Sequence, residues 1–307
     1  MAFLHTYSIV ARDKETSQLG VAVQTHWFAV GAMCPWIEAG VGAVATQSMV
    51  EVSYGPKSLA LLKKGAKPGD VLKKLLDQDK GRALRQVAII DINGNLATHT
   101  GNRCIREAGH SQGDNFSVQA NMMLNENVWP AMAAAFEGSK GKLSHRMLAA
   151  LTAGQSAGGD IRGMQSAAML VADCEKSEEP WKHELINIRV DDHPKPLAEL
   201  KRLLLIHEAY DHMNRGDSHL EKRNFSGASV EYQKAFDLLP ENEEIPFWHA
   251  VSLVEKGKME EALSLFKKLF LENPNWYELA LRLPESDLMK ADQQQIAQIT
   301  QLMKSLQ

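Results

Sequence analysis

The stretch "QVAIIDINGNLATHTG", residues 86–101, decides the fold class. "VAIID" is apolar on both of its faces, "LATHT" alternates, and Asn93-Gly94 lies between them. A tight turn with positive φ favours that dipeptide, so an antiparallel hairpin is predicted. A strand like "VAIID" must be covered on both sides. Working outward, "TYSIVARD", "LGVAVQTH", "GVGAVATQS", "NFSVQANM", "SAAMLVAD" and "ELINIRVD" are further short runs bounded by Gly, Asn and Asp. Helical periodicity falls between the strands in pairs, at about 55–64 with 69–78 and at about 127–137 with 144–154. In the second pair Met147, Leu148 and Leu151 form an apolar face, and Gly154 reads as its stop signal. Two sheets with helices outside them, or one sheet between helix layers, satisfy both patterns.

Beyond Asp191-Asp192-His193-Pro194 the pattern is helical to the end. At an offset of 34 residues Gly216 matches Ala250, Ala228 matches Ala262, Tyr232 matches Phe266 and Pro240 matches Pro274. That is the tetratricopeptide period, with small residues where helices cross and an aromatic in the second helix of each unit. The expected division is therefore a domain over 1–204 and a helical-repeat domain over 205–307. The repeats fall at about 209–242 and 243–276, and a capping helix at about 291–306.

Hydrophobic residues make up 44% and charged residues 23%, the composition of a folded globular chain. Charges balance up to residue 200, and the acidic excess lies entirely in the tail. Neither part carries a basic stripe, which argues against a nucleic-acid partner. Cys34, Cys104 and Cys174 are odd in number and scattered, so neither a disulfide framework nor a zinc site is expected. The chain opens without an export signal and has no apolar run long enough for a membrane span, so a cytoplasmic location is expected.

No phosphate loop, dinucleotide fingerprint, zincin helix or nucleophile elbow occurs, so no cofactor or metal is expected. The richest polar stretch is "AGQSAGGDIRGMQSA", residues 153–167, which brings Asp160, Arg162 and Gln165 close together among glycines. By itself it reads as a helix end and a polar turn with Asp160 and Arg162 paired at the surface. Gln119 and Asn121 alternate on "SVQANMM" and share one face, solvated if that face is open; Gln47 ends "GAVATQS" in a similar position. His26, before Trp27-Phe28, is an acid/base candidate, but packing against the aromatic pair is the favoured reading. In "TYSIVARD" Thr6 and Ser8 share a face.

The blocks "TYSIVARDKETSQLGVAVQ", "FAVGAMCPWIEAGVGAVATQS", "YGPKSLALL", "GHSQGDNFSVQANMM", "AGGDIRGMQSAAMLV" and "RVDDHPKPLAEL" resemble the bacterial family catalogued as domain of unknown function number 1028. The resemblance covers about residues 5–205. It implies an α+β fold similar to the N-terminal-nucleophile hydrolases: four αββα layers, with two antiparallel sheets face to face and helices outside. In that architecture the first residue of the mature chain supplies a hydroxyl or thiol nucleophile and, through its α-amine, the base. Thr6 is then the candidate nucleophile, on condition that "MAFLH" is removed. Asn121 or Gln47 are candidate oxyanion donors, and Asp160 and Arg162 would orient a charged group of a small amide or imide substrate. Ser8, His26, Gln47, Gln119 and Gln165 would line the substrate site. The rival reading is a non-catalytic small-molecule-binding or scaffold protein whose repeat tail recruits a protein or peptide partner or drives homodimerisation.

Overall fold

A computed structural model describes residues 3–306 and divides into two compact units, one ending at Leu203 and the other beginning at Leu204. The first unit contains two antiparallel sheets. One holds β1 (Phe3–Leu4), β4 (Pro35–Glu38), β5 (Gly42–Met49), β6 (Arg85–Asp91) and β7 (Leu96–Thr100), in the order β1-β5-β6-β7, with β4 also paired to β5. The other holds β2 (Thr6–Arg12), β3 (Leu19–Thr25), β8 (Gly109–Gly113), β9 (Phe116–Ala120), β10 (Ser166–Ala172) and β11 (Glu184–Val190), in the order β11-β10-β3-β2-β9-β8. β2 is therefore an interior strand.

The sheets face each other across a core built by Val10, Val21, Val23, Ala43, Ala45, Ala88, Ile90 and Leu170. The alternate residues Val44, Val87 and Ile89 point the other way, onto Leu59 and Leu62 of α1 (Tyr54–Lys63) and Val71, Leu72 and Leu75 of α2 (Pro68–Gln78). This explains why "VAIID" is apolar throughout: its two faces serve two different layers. On the opposite side, α3 (Val128–Gly138) and α4 (Leu143–Ser156) pack on the second sheet, and Tyr7 Oη donates to Gln155 of α4 over 2.9 Å.

Two local expectations need correction. Asp91 and Asn95 pair directly, so the 86–101 hairpin turns through the three residues Ile92, Asn93 and Gly94, with Gly94 at φ +84°. Gly154 does not stop its helix, which continues to Ser156; a Cβ there would lie 2.7 Å from Met132 Cγ and 3.5 Å from the Tyr7 ring. The glycine lets two helices and a strand approach closely. The left-handed residues that end the segment are Gly158 and Gly159.

The second unit is all-helical: α5 (Pro196–Glu221, beginning before the boundary), α6 (Phe225–Leu238), α7 (Glu244–Glu255), α8 (Met259–Glu272), α9 (Asn275–Arg282) and α10 (Gln293–Leu306). Ala228, Ala250, Ala262, Tyr232 and Phe266, all matched at the 34-residue offset, are buried. A Cβ on Gly216 would lie 3.0 Å from the Tyr232 ring, so the small residue is required by a helix crossing. Among the described residues no helix is long and apolar enough to cross a membrane.

His249 stacks on Tyr232 with ring centroids 5.3 Å apart, and its Nε2 is buried without a hydrogen-bond partner. Burial, with Lys256 adding to it, lowers its pKa from 6.5 to about 4. The folded chain therefore holds the neutral ring, while the unfolded chain takes up a proton below its ordinary pKa. Stability is fully present above pH 6.5 and is lost as pH falls toward about 4, by up to about 3 kcal/mol. Denaturant unfolding of the full chain at pH 7 and pH 4, with His249→Phe as the variant that loses this contribution, checks the expectation.

Candidate functional site

Thr6 opens β2, with neighbours on both sides: it stands opposite Thr25 of β3, and Tyr7 opposite Ala120 of β9. Period-two alternation puts Thr6 and Ser8 on the face that meets the other sheet, and Ser8 Oγ donates to Gln47 Oε1 of β5 over 2.7 Å. Both residues are fully buried, yet the Thr6 hydroxyl has no hydrogen-bond partner. Leaving such a group unpaired costs about 1–3 kcal/mol, and orphans of this kind call for a reason.

The amides and hydroxyls that line the gap beside it are engaged with one another. Ser117 Oγ donates to Gln119 Oε1 over 3.2 Å, and Gln119 Nε2 donates to Ser8 Oγ over 2.5 Å. Gln47 Nε2 donates to Gln86 Oε1 over 2.7 Å and to the Thr6 carbonyl over 3.1 Å. Asn121 Nδ2 reaches the same two oxygens, at 2.9 and 3.3 Å. Gln86 in turn donates to Thr100 Oγ1, Gly109 O and Ala120 O. The result is an uncharged, directed chain of side-chain amides and hydroxyls laid across the gap between the sheets.

The peptide joining His5 to Thr6 is held separately. Its carbonyl oxygen accepts from Thr25 Oγ1 over 2.6 Å and from Arg162 Nη2 over 2.9 Å. Arg162 is aimed by Asp160, which is 2% exposed and accepts from Arg162 Nε at 3.0 Å, Arg162 Nη2 at 2.7 Å and the His26 backbone N–H at 3.1 Å. Two donors of different elements, one of them cationic, thus converge on a single backbone oxygen. The His5 ring bonds Asn121 Oδ1 through Nδ1 at 2.9 Å, and since that oxygen only accepts, Nδ1 carries the hydrogen. Burial lowers the His5 pKa and keeps the ring neutral, against the opposing pull of Asn121.

Thr6, Ser8, Gln47, Gln119, Asn121, Asp160 and Arg162 are thus brought into one region. Several expectations change. Gln119 and Asn121 are fully buried rather than solvated, because the sheet that holds β5 and β6 covers their face. Asp160 and Arg162 do pair, but not as an exposed surface pair, since Asp160 is buried. Asn121 and Gln47 do not offer oxyanion donors on the His5 side of Thr6; their amides point at the Thr6 carbonyl and Gln86, and the donors on the other side are Thr25 and Arg162. His26 joins the region through its backbone, with its ring turned to the Met164 carbonyl at 3.3 Å. Gln165 points away and donates to Asp192 over 3.1 Å.

Thr25, Gln86 and His5 were missed by sequence reading. Thr25 was within reach, since counting back from the turn between Arg12 and Leu19, which are opposite one another, sets Thr25 against Thr6. Gln86 begins an apolar strand and gave no such signal.

Comparison with known proteins bears on the first unit. A family model described as a family of unknown function, DUF1028, matches residues 6–200. A crystal structure of a protein from Silicibacter pomeroyi, titled with the same family model, is 32% identical, with a TM-score of 0.59 over 65% of this chain and 87% of that one. Comparison with curated proteins gives no match.

Proposed function

Because the chain belongs to the DUF1028 family, whose description leaves the function open, its chemistry has to come from its own residues, and we propose an N-terminal-nucleophile-type amidohydrolase acting on a small amide or imide, with Thr6 as nucleophile once residues 1–5 are removed. The observation that carries this reading is a buried hydroxyl without a partner next to a carbonyl gripped by two donors. Two facing antiparallel sheets with helices outside support the αββα fold of that enzyme class. The 34-residue spacing of buried small and aromatic positions supports a tetratricopeptide-type tail that takes a protein partner.

The two donors serve both stages. In the first, Thr6 Oγ1 attacks the His5 carbonyl carbon, and the negative charge developing on the carbonyl oxygen lies between Thr25 Oγ1 and Arg162 Nη2. The C–N bond breaks, the hydroxyl proton ends on the Thr6 nitrogen, and water hydrolyses the resulting ester, releasing residues 1–5. The freed α-amine, with a pKa near ~8, can then accept the Thr6 hydroxyl proton at neutral pH, as a peptide nitrogen cannot. In the second stage the substrate carbonyl takes the place of the His5 carbonyl, its amine leaves with a proton, and water regenerates Thr6. Gln47 and Asn121 hold the Thr6 carbonyl and fix the strand end from which the nucleophile projects.

Intact-mass measurement on the purified protein tests the reading. The expected species lacks residues 1–5, and Thr25→Val, which keeps shape and removes one donor, should slow its appearance by about 100-fold. A chain that keeps residues 1–5 indefinitely and still hydrolyses an amide would rule out Thr6 as the base-bearing nucleophile.

A further inference from the structure

Residues 3–5 occupy a defined place. β1 pairs with the edge of β5, Phe3 opposite Met49 and Leu4 opposite Ser48, whereas β2 belongs to the other sheet. The chain changes sheets at His5, whose ring lies on Asn121 and whose carbonyl lies between Thr25 and Arg162. β1 stands at the end of its sheet, so losing it would expose the Ser48–Met49 edge of β5. Ser48 itself is buried and holds φ at +70°, a left-handed conformation that costs a non-glycine residue about 1 kcal/mol or more. The strained backbone sits opposite the residue next but one to the scissile bond.

We infer that residues 3–5 stand in for the acyl half of the substrate, and that the substrate is an extended peptide. Two of its residues add as a strand to the Ser48–Met49 edge of β5, and the residue that is acylated onto Thr6 carries a hydrogen-bond donor, of which imidazole is the type, that reaches Asn121 Oδ1. Main-chain pairing at a sheet edge supplies affinity, while the side-chain contact supplies selectivity. The acyl oxygen keeps the same two donors whether its carbon is bound to the Thr6 nitrogen, as now, or to Oγ1. This inference rests on the Thr6 nucleophile for turnover but not for binding, which makes the two separable.

The test uses the chain beginning at Thr6, produced by removal of an initiator methionine, with three fluorogenic arylamides: acetyl-Phe-Leu-His, acetyl-Pro-Pro-His, which lacks two backbone donors, and acetyl-His. The expected result is a kcat/KM for acetyl-Phe-Leu-His at least ten-fold above either control, with release of the arylamine. Equal turnover of all three would overturn the peptide slot and leave the nucleophile standing. Binding of free acetyl-Phe-Leu-His by calorimetry without any turnover, and weaker binding of the Pro-Pro peptide, would support the slot and sink the nucleophile. Neither binding nor turnover of acetyl-Phe-Leu-His would overturn the inference.

Discussion

Thr6→Val is expected to stabilise the uncleaved chain by about 1 kcal/mol while abolishing both release of residues 1–5 and hydrolysis. The two effects have one cause. The hydroxyl is fully buried with no partner, and valine keeps the shape of threonine while removing the unpaired oxygen. A threonine retained for hydrogen bonding would behave in the opposite way, losing stability with little change in activity. The expected loss of turnover is about 1,000-fold or more, since no other group replaces a missing nucleophile. Denaturant unfolding against the uncleaved wild-type fraction, combined with intact-mass and turnover measurements, checks both halves. A Val variant that is less stable and still cleaved would reduce Thr6 to a structural residue.

Gln86→Leu is expected to be the most destabilising single change in the first unit. Gln86 Oε1 accepts from both Gln47 and Asn121, and its amide serves Thr100 and the carbonyls of Gly109 and Ala120. Leucine fills the volume but takes the shared acceptor from two buried amides, leaving them longer bonds to the Thr6 carbonyl, and takes the donor from two carbonyls. With partial relaxation, the cost is about 3–5 kcal/mol. For a unit of this size that lowers the melting temperature by roughly 10 °C. Gln112→Leu on the exposed end of β8 is the control, and its effect should stay within about 0.5 kcal/mol. A Gln86 variant as stable as that control would show that the amide chain contributes nothing to holding the sheets together.

Strands, helix pairs and repeat spacing were readable because each depends on local period: "VAIID" flanked by a turn, Met147 with Leu151, Tyr232 with Phe266. The polar chain was not readable, because it exists only where β2 and β9 of one sheet meet β5 and β6 of the other. Gln47, Gln86 and the Gln119–Asn121 pair come from three separate segments, and each taken singly is an ordinary amide near a strand end. Gly154 shows the same limit in miniature. A glycine near a helix end signals a stop, and only the presence of Met132 and Tyr7 across the gap reveals that it serves close packing. Thr25 lies between these cases, since its partnership with Thr6 follows from hairpin counting but its second bond, to the His5 carbonyl, does not.

β2 lies in the interior of a six-stranded sheet, held by β3 on one side and β9 on the other. Chain ends usually fray and are trimmed by exopeptidases. An end created in front of Thr6 would instead start within a fully paired strand, with no loose residues for an aminopeptidase to grasp. The sheet would act as a ruler: digestion from the front halts where β2 begins, and the terminal amine stays in register with the donors around it.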